Sequence, residues 1–266
     1  MRFVVDHDYH IHSFLSSCSP DEAEIPVNII KIAEENGYTN ICITDHFWDD
    51  TVPGASEWYA PQNLAHISQS LPLPQNDKVK FYFGCETEMD KFGTIGLNKD
   101  NYDKFDFIIV PTTHMHMMGF AIDEKDNSIE RRAVKWVERF DALLNSDLPF
   151  YKVGIAHLTT GLIANVDNTA HLRTLDLISD AEMTRLFTKA ANVGLGIELN
   201  FNPFQYNEEQ LDKVLRPYRI AKKVGCKFYF GSDAHHTSTL KGGKEKFEFI
   251  IDKLKLEETD KFTFAK

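Results

Sequence analysis

Phe3-Val4-Val5-Asp6-His7-Asp8-Tyr9-His10-Ile11-His12 is the stretch on which the fold turns. A β-rich run over Phe3–His10 ends in two histidines, with no glycine-rich nucleotide loop behind it. Further β-rich runs follow at Asn40–Thr44, Lys80–Cys85, Phe105–Pro111, Lys152–Ala156, Leu195–Asn200 and Lys227–Ser232. Several are nearly continuous in apolar residues, as strands buried on both faces must be. Helical patterns separate most of them. Alternating strands and helices predict a parallel sheet with right-handed crossovers. Seven such units can close a barrel, and an open doubly wound sheet also fits the alternation.

The helix signals are local. Pro26 starts the first helix and Gly37 stops it. The segment Asp49–Asp77 is rich in Pro and polar residues, with a helix near 61–70. Over 128–145, Ala133, Val137, Phe140 and Leu144 share a face. Ser179 with Glu182, and Asn207 with Gln210, read as capping boxes for helices that end near Gly194 and Gly225. Pro217 is expected to kink or break the second of these, because it removes a backbone donor. Phe247, Ile250, Ile251 and Leu254 stripe a last helix.

The chemistry-bearing residues fall at the carboxyl ends of the predicted strands, where βα folds assemble their sites. Strand one runs into His10 and His12, strand two into Thr44-Asp45-His46, and strand three into Glu86. Strand four leads to His114 and His116, strand five to His157, and strand seven to Asp233 and His235. Residues i and i+2 of a strand point the same way, so each HxH or DxH pair can aim at one point. Imidazole and carboxylate together suit Zn, Mn or Fe. Eight or nine such groups are too many for one first-row ion, so more than one divalent ion is expected. A single His at a strand end is usually a structural residue, and His66 and His171 are read that way. Recurrence at successive strand ends is what sets the cluster apart.

Size and composition fit one globular unit. The chain has 266 residues, 42% apolar and 26% charged, which fits a soluble α/β barrel as a single domain over 1–266. It has no apolar run of membrane-spanning length and no signal-peptide pattern at its start. A net charge of −11 argues against broad binding to nucleic-acid backbone or anionic membrane, but not against a phosphorylated substrate held through metal cations. The cysteines, at 18, 42, 85 and 226, form no CxxC pair, which favours a reducing cytoplasm over a disulfide scaffold.

The ordered set His10-x-His12, Thr44-Asp45-His46, Gly84-x-Glu86, His114, His157 and Gly231-Ser232-Asp233-Ala234-His235 resembles the PHP superfamily, named for polymerase and histidinol phosphatase. The small size and the Asp-Tyr-His-x-His-Ser start are most similar to its free-standing histidinol-phosphatase type. The resemblance implies a distorted (β/α)7 TIM-like barrel with a trinuclear metal site at the carboxyl ends of the strands. By that resemblance His10, His12, Glu86 and Asp233 hold one metal, and Glu86 bridges to a second held by His114 and His157. His46 and His235 hold the third. Family members commonly carry a further His or Asp where this chain has Cys18. Here either the thiolate joins the third site, or that site is completed by Asp21 or left weak. His116 is expected to be structural or phosphate-facing.

The expected activity is hydrolysis of a phosphate monoester by a hydroxide bridging two metals about 4 Å apart, with Glu86, Asp233 and His235 at the reacting centre. His235, Asp45 or a metal-bound water are open as the leaving-group acid. Histidinol phosphate, and with it a place in histidine biosynthesis, is the first substrate expectation. A nucleotide or oligonucleotide phosphate and a phosphotyrosine protein come next. Substrate specificity is expected from loops 47–78 and 115–128. Trp48, Trp58 and Tyr59 are able to stack on a ring there, or simply pack. Arg131, Arg132, Arg216 and Arg219 are able to meet phosphate, but all sit in predicted helices and are read as solvated. The rival classes are an amidohydrolase-like C–N hydrolase and a non-catalytic metal-binding domain. No lysine stands at the strand end where amidohydrolases often carry a metal-bridging one; Glu86 takes the third-strand place.

Overall fold

The computed structural model describes residues 1–164, 166–201 and 205–264. Seven strands follow one another in a parallel sheet: β1 (His7–Ile11), β2 (Asn40–Ile43), β4 (Lys80–Thr87), β5 (Phe107–Ile109), β6 (Val153–Ile155), β7 (Gly196–Leu199) and β8 (Lys227–Phe230). A two-residue strand, β3 (His46–Phe47), pairs with the end of β4. The sheet curls until its edges meet. His12 N–H donates to the Ala234 carbonyl at 3.0 Å, and Asp233 N–H donates to the His10 carbonyl at 2.8 Å. The architecture is thus an α/β barrel of the TIM-like kind, as the strand–helix alternation and the resemblance predict.

Side-chain alternation sorts the core into two layers. Ile41, Ile43, Ile108, Ile155, Ile197, Phe228 and Phe230 pack outward into the layer shared with the helices. Cys42, Phe107, Ile109, Ala156 and Tyr229 pack together with Tyr9 in a second, smaller cluster inside the barrel. Phe262 closes this cluster from below, its N–H donating to the Phe228 carbonyl at 2.7 Å. Space for the rings comes from missing side chains. A Cβ on Gly154 would sit 2.5 Å from the Tyr229 ring, so only glycine fits there. Each fully buried Phe contributes about 2 kcal/mol through removal from water.

Helices cover the outside: α1 (Pro26–Glu35), α2 (Leu64–Ile67), α3 (Ile129–Leu144), α4 (Ala170–Asp176), α5 (Asp180–Val193), α6 (Glu208–Lys223), α7 (Thr237–Leu240) and α8 (Gly243–Leu254). Ser179 caps α5, but Glu182 pairs with Arg185, and α5 ends at Gly194 with φ of 82°. The Asn207–Gln210 box closes on both sides. Three expectations are corrected. The first strand begins at His7; Phe3 instead donates its N–H to the Leu256 carbonyl. Helix α6 runs unbroken through Pro217, because Leu211, Val214, Leu215, Tyr218 and Ala221 bury both halves against the core. Finally, β3 was too short to stand out as a pattern, yet its register sets His46 opposite Glu86.

Candidate metal centre

The barrel's closure assembles the centre. Asp8 accepts from the N–H groups of His10 and Ser232, at 3.3 and 3.0 Å, and so ties the end of β1 to the end of β8. Asp233 and His157 both take left-handed backbone, with φ of 53° and 40°. The Asp233 N–H is held by the His10 carbonyl and the His157 N–H by Glu198 Oε1, at 3.0 Å. Such backbone costs on the order of 1–3 kcal/mol per residue and persists only where the surroundings enforce it.

Four overlapping groups result, each with ligand-capable atoms within 4.8 Å of one another: His10, His12 and Glu86; His10, His157 and Asp233; Glu86, His114 and His157; and His12, His46 and His235. Glu86 lies 3.4 Å from His12 Nε2, 3.0 Å from His157 Nε2 and 2.9 Å from His46 Nδ1. Asp233 Oδ1 lies 3.4 Å from His10 Nε2 and 3.2 Å from His12 Nε2. Cys18 Sγ is 2.9 Å from His235 Nε2, although Cys18 joins none of the groups among the described residues. Asp21 is turned away and accepts from Thr237. His116 stands outside the groups. Asp45 accepts from Ser13 and Ser16, bracing their loop.

A second shell of partners fixes the rings. Glu198 Oε2 accepts from His10 Nδ1 and Glu88 Oε2 accepts from His114 Nδ1, each at 2.6 Å. Ser16 and Thr113 hydroxyls meet the Nδ1 atoms of His12 and His157, and the Asp233 carbonyl accepts from His235 Nδ1. With Nδ1 so engaged, Nε2 is the atom each of these rings offers to the centre. Arg139 holds Glu88 in turn, at 3.1 Å. A Cβ on Gly231 would lie 2.5 Å from Glu198 Oε2, so glycine lets that carboxylate approach.

The sequence reading did not find Glu88, Glu198 or Arg139. The available signals were the E-x-E spacing of Glu86 and Glu88, and an acid inside the apolar run of β7. Among the arginines, Arg131 and Arg219 are exposed as expected, but the expectation for Arg132 needs correction. Arg132 is buried beneath the loops after β5 and β6, donating to the Met115 and Ile163 carbonyls. Arg131, Arg216 and Arg219 pair with Asp126, Asp180 and Asp212.

Charge is concentrated here. Burial alone would lower His10 and His12, but Glu198, Asp233 and Glu86 outweigh it, holding His10 well above its ordinary value and His12 at about 9. Burial would raise Glu86 and Asp233; the surrounding histidines hold both far below the usual carboxylate range. His46 is pushed down by burial, and His235 falls to about 4 through burial and the neighbouring His12.

The donor set suits divalent cations. His46 Nδ1 and Glu86 Oε2 are buried and make no hydrogen bond, although they stand 2.9 Å apart. His10 and His12 point Nε2 atoms at each other across 3.1 Å. Lone pairs converging in this way are satisfied by a shared cation. Beside them opens a cavity of about 540 Å³, bordered by His46, His114, Asp233 and His235. Trp58 and Tyr59 reach it from one expected loop, and Met117 and Phe120 from the other. Trp48 packs inside, its indole donating to the Val52 carbonyl.

A family model described as the PHP domain matches residues 8–202. The chain belongs to the PHP family. No curated protein matches its sequence. Among solved structures, the PHP chain is similar to the histidinol phosphate phosphatase of Lactococcus lactis subsp. lactis Il1403, a structure with Zn, L-histidinol and phosphate. Identity is 18%, with 95% of this chain and 94% of that one covered at a TM-score of 0.61. A protein of Listeria monocytogenes assigned as a histidinol phosphatase gives 12% identity, 91% and 100% coverage, and the same TM-score of 0.61. At these identities the likeness is one of fold. No helix among the described residues is long and apolar enough to cross a membrane.

Proposed function

We propose that this PHP chain, as one domain over 1–266, hydrolyses small phosphate monoesters with the help of two or three divalent ions. The observation that carries the reading is Glu86, a buried carboxylate common to two histidine groups and in contact with His46, which borders the cavity. His10, His12, Glu86 and Asp233 would hold one ion, Glu86 with His114 and His157 a second, and His46 with His235 and Cys18 a third. Zn, Mn or Fe in these positions supplies the Lewis acidity and positive charge that phosphoryl transfer requires.

The protein's own groups then have defined tasks. Glu198, Glu88, Ser16 and Thr113 lock the rings of His10, His114, His12 and His157 so that they need not reorganise during reaction. Asp233 stands among imidazoles and stays ionised. His235 borders the cavity, and with Nδ1 held by the Asp233 carbonyl it offers Nε2 to the third ion. The phosphate-bearing end of a substrate sits against the histidine wall and its alcohol end fills the remaining cavity.

Histidinol phosphate is the first ester to test, because the Lactococcus neighbour was solved with L-histidinol and phosphate. The experiment is phosphate release by metal-loaded protein from a panel of monoesters, with His12→Ala and Glu86→Ala as controls. Release that survives both substitutions would remove the proposed site. Metal analysis returning one ion or fewer per chain would remove the multinuclear centre.

A further inference from the structure

The cavity has two unlike walls. Alongside the histidines, the lining also includes Trp58, Tyr59, Met117, Phe120 and Leu162, with Trp58 and Tyr59 packed against His46. This apolar wall is firmly set. Tyr59 is buried, its hydroxyl 3.3 Å from Glu88 Oε2 and its ring 5.5 Å from that of Phe120. Trp58 is held edge-on by two neighbours, Tyr59 at 4.7 Å and His46 at 5.0 Å, yet the residue is 39% exposed. An exposed indole pinned against a proposed ligand ring is a ready surface for a flat group.

The lining is poor in charge. Among the described residues that line it there is no Lys, Arg or Glu, and the one acid, Asp233, turns Oδ1 to His10 and His12. His116 also lines it. A polyol entering this wall gives up water for few partners, the Ser56 hydroxyl and the His116 ring. An ammonium finds one carboxylate, Asp233, already turned to His10 and His12, and otherwise only the weaker attraction of ring faces. A neutral ring gains contact area and edge-to-face or stacked geometry.

We propose that the wall selects monoesters whose alcohol carries an uncharged aromatic ring, with Trp58 as the specificity-determining residue. This rests on the phosphate-monoester reading and narrows its substrate class.

The test uses the Zn-loaded full chain and three primary alkyl esters, so that leaving-group chemistry stays comparable: 2-phenylethyl phosphate, histidinol phosphate and glycerol 3-phosphate. The expected kcat/KM for 2-phenylethyl phosphate exceeds that for glycerol 3-phosphate by about tenfold, the scale of one good aromatic contact. It is also no lower than for histidinol phosphate. Trp58→Ala should bring the phenylethyl-to-glycerol ratio toward unity, while Trp58→Phe keeps most of it. A ratio unchanged in Trp58→Ala, or equal rates for the ring and polyol esters, overturns the inference. Histidinol phosphate preferred severalfold overturns the claim that the ring is read without charge. Phosphate release from none of the three esters overturns the monoester reading itself, and the inference with it.

Discussion

At its floor the barrel is filled by Tyr9, Phe107, Tyr229 and Phe262; toward the carboxyl ends of the strands it is filled by His10, Glu86, His157 and Asp233. Both layers lie inside the barrel, and all of these residues but Asp233 are buried. The floor gains stability from dry contact and tolerates no polar atom without a partner. The mouth gathers groups that repel or titrate one another, and it is kept in shape by hydrogen bonds from behind. The difference teaches where each kind of substitution acts: floor changes should appear as stability, mouth changes as metal content and rate.

The largest effect should come from the mouth. Glu86→Ala removes the carboxylate shared by two groups, and phosphate release should fall on the order of a thousandfold with a folded barrel retained. A loss of fold of equal size, read by circular dichroism, would break the contrast. At the floor, Phe262→Ala should cost about 3 kcal/mol in a denaturant titration, the usual scale for an emptied aromatic site. Metal content should stay intact at low denaturant. Lost metal would show the two layers to be coupled.

Residues behind the ligands should fall between these extremes. Glu198→Gln and Glu88→Gln each weaken the hold on one ring, and metal affinity should drop roughly ten- to hundredfold. Unchanged affinity by competitive chelator titration would reduce them to packing residues. Cys18→Ser should have a smaller effect, lowering occupancy of one ion only; full occupancy by metal analysis would remove the thiol from the ligand set.

The smallest effect is a proton count. Metal-free His10 and His12 hold protons that their carboxylate neighbours stabilise, so metal uptake at pH 7 should release roughly two protons, seen as buffer-dependent heat. Affinity should rise with pH through about 9, where His12 gives up its proton anyway. Heat independent of buffer would mean that the mouth is already deprotonated.

What was legible in the sequence follows the same division. His10, His12, His46, Glu86, His114, His157, Asp233 and His235 were visible because a strand end fixes both position and direction, and all eight enter the groups. Glu198, Glu88 and Arg139 were not, because a lone acid or arginine looks the same in sequence whether it meets solvent or a histidine ring. Phe3–Val5 read as strand because local pattern does not show its partner, Leu256, far along the chain. The helix running through Pro217 was hidden for a related reason: packing offsets the lost donor, and packing is a property of the whole fold.

The left-handed backbone at His157 and Asp233 bears on how their roles should be probed. Alanine is poorly suited to those dihedral angles, so an alanine scan would report backbone discomfort as though it were lost ligation. Asparagine accepts the conformation more readily than most residues and is close in size to aspartate. His157→Asn and Asp233→Asn are therefore the cleaner probes, and the excess of the alanine effect over the asparagine effect measures the share that belongs to the main chain.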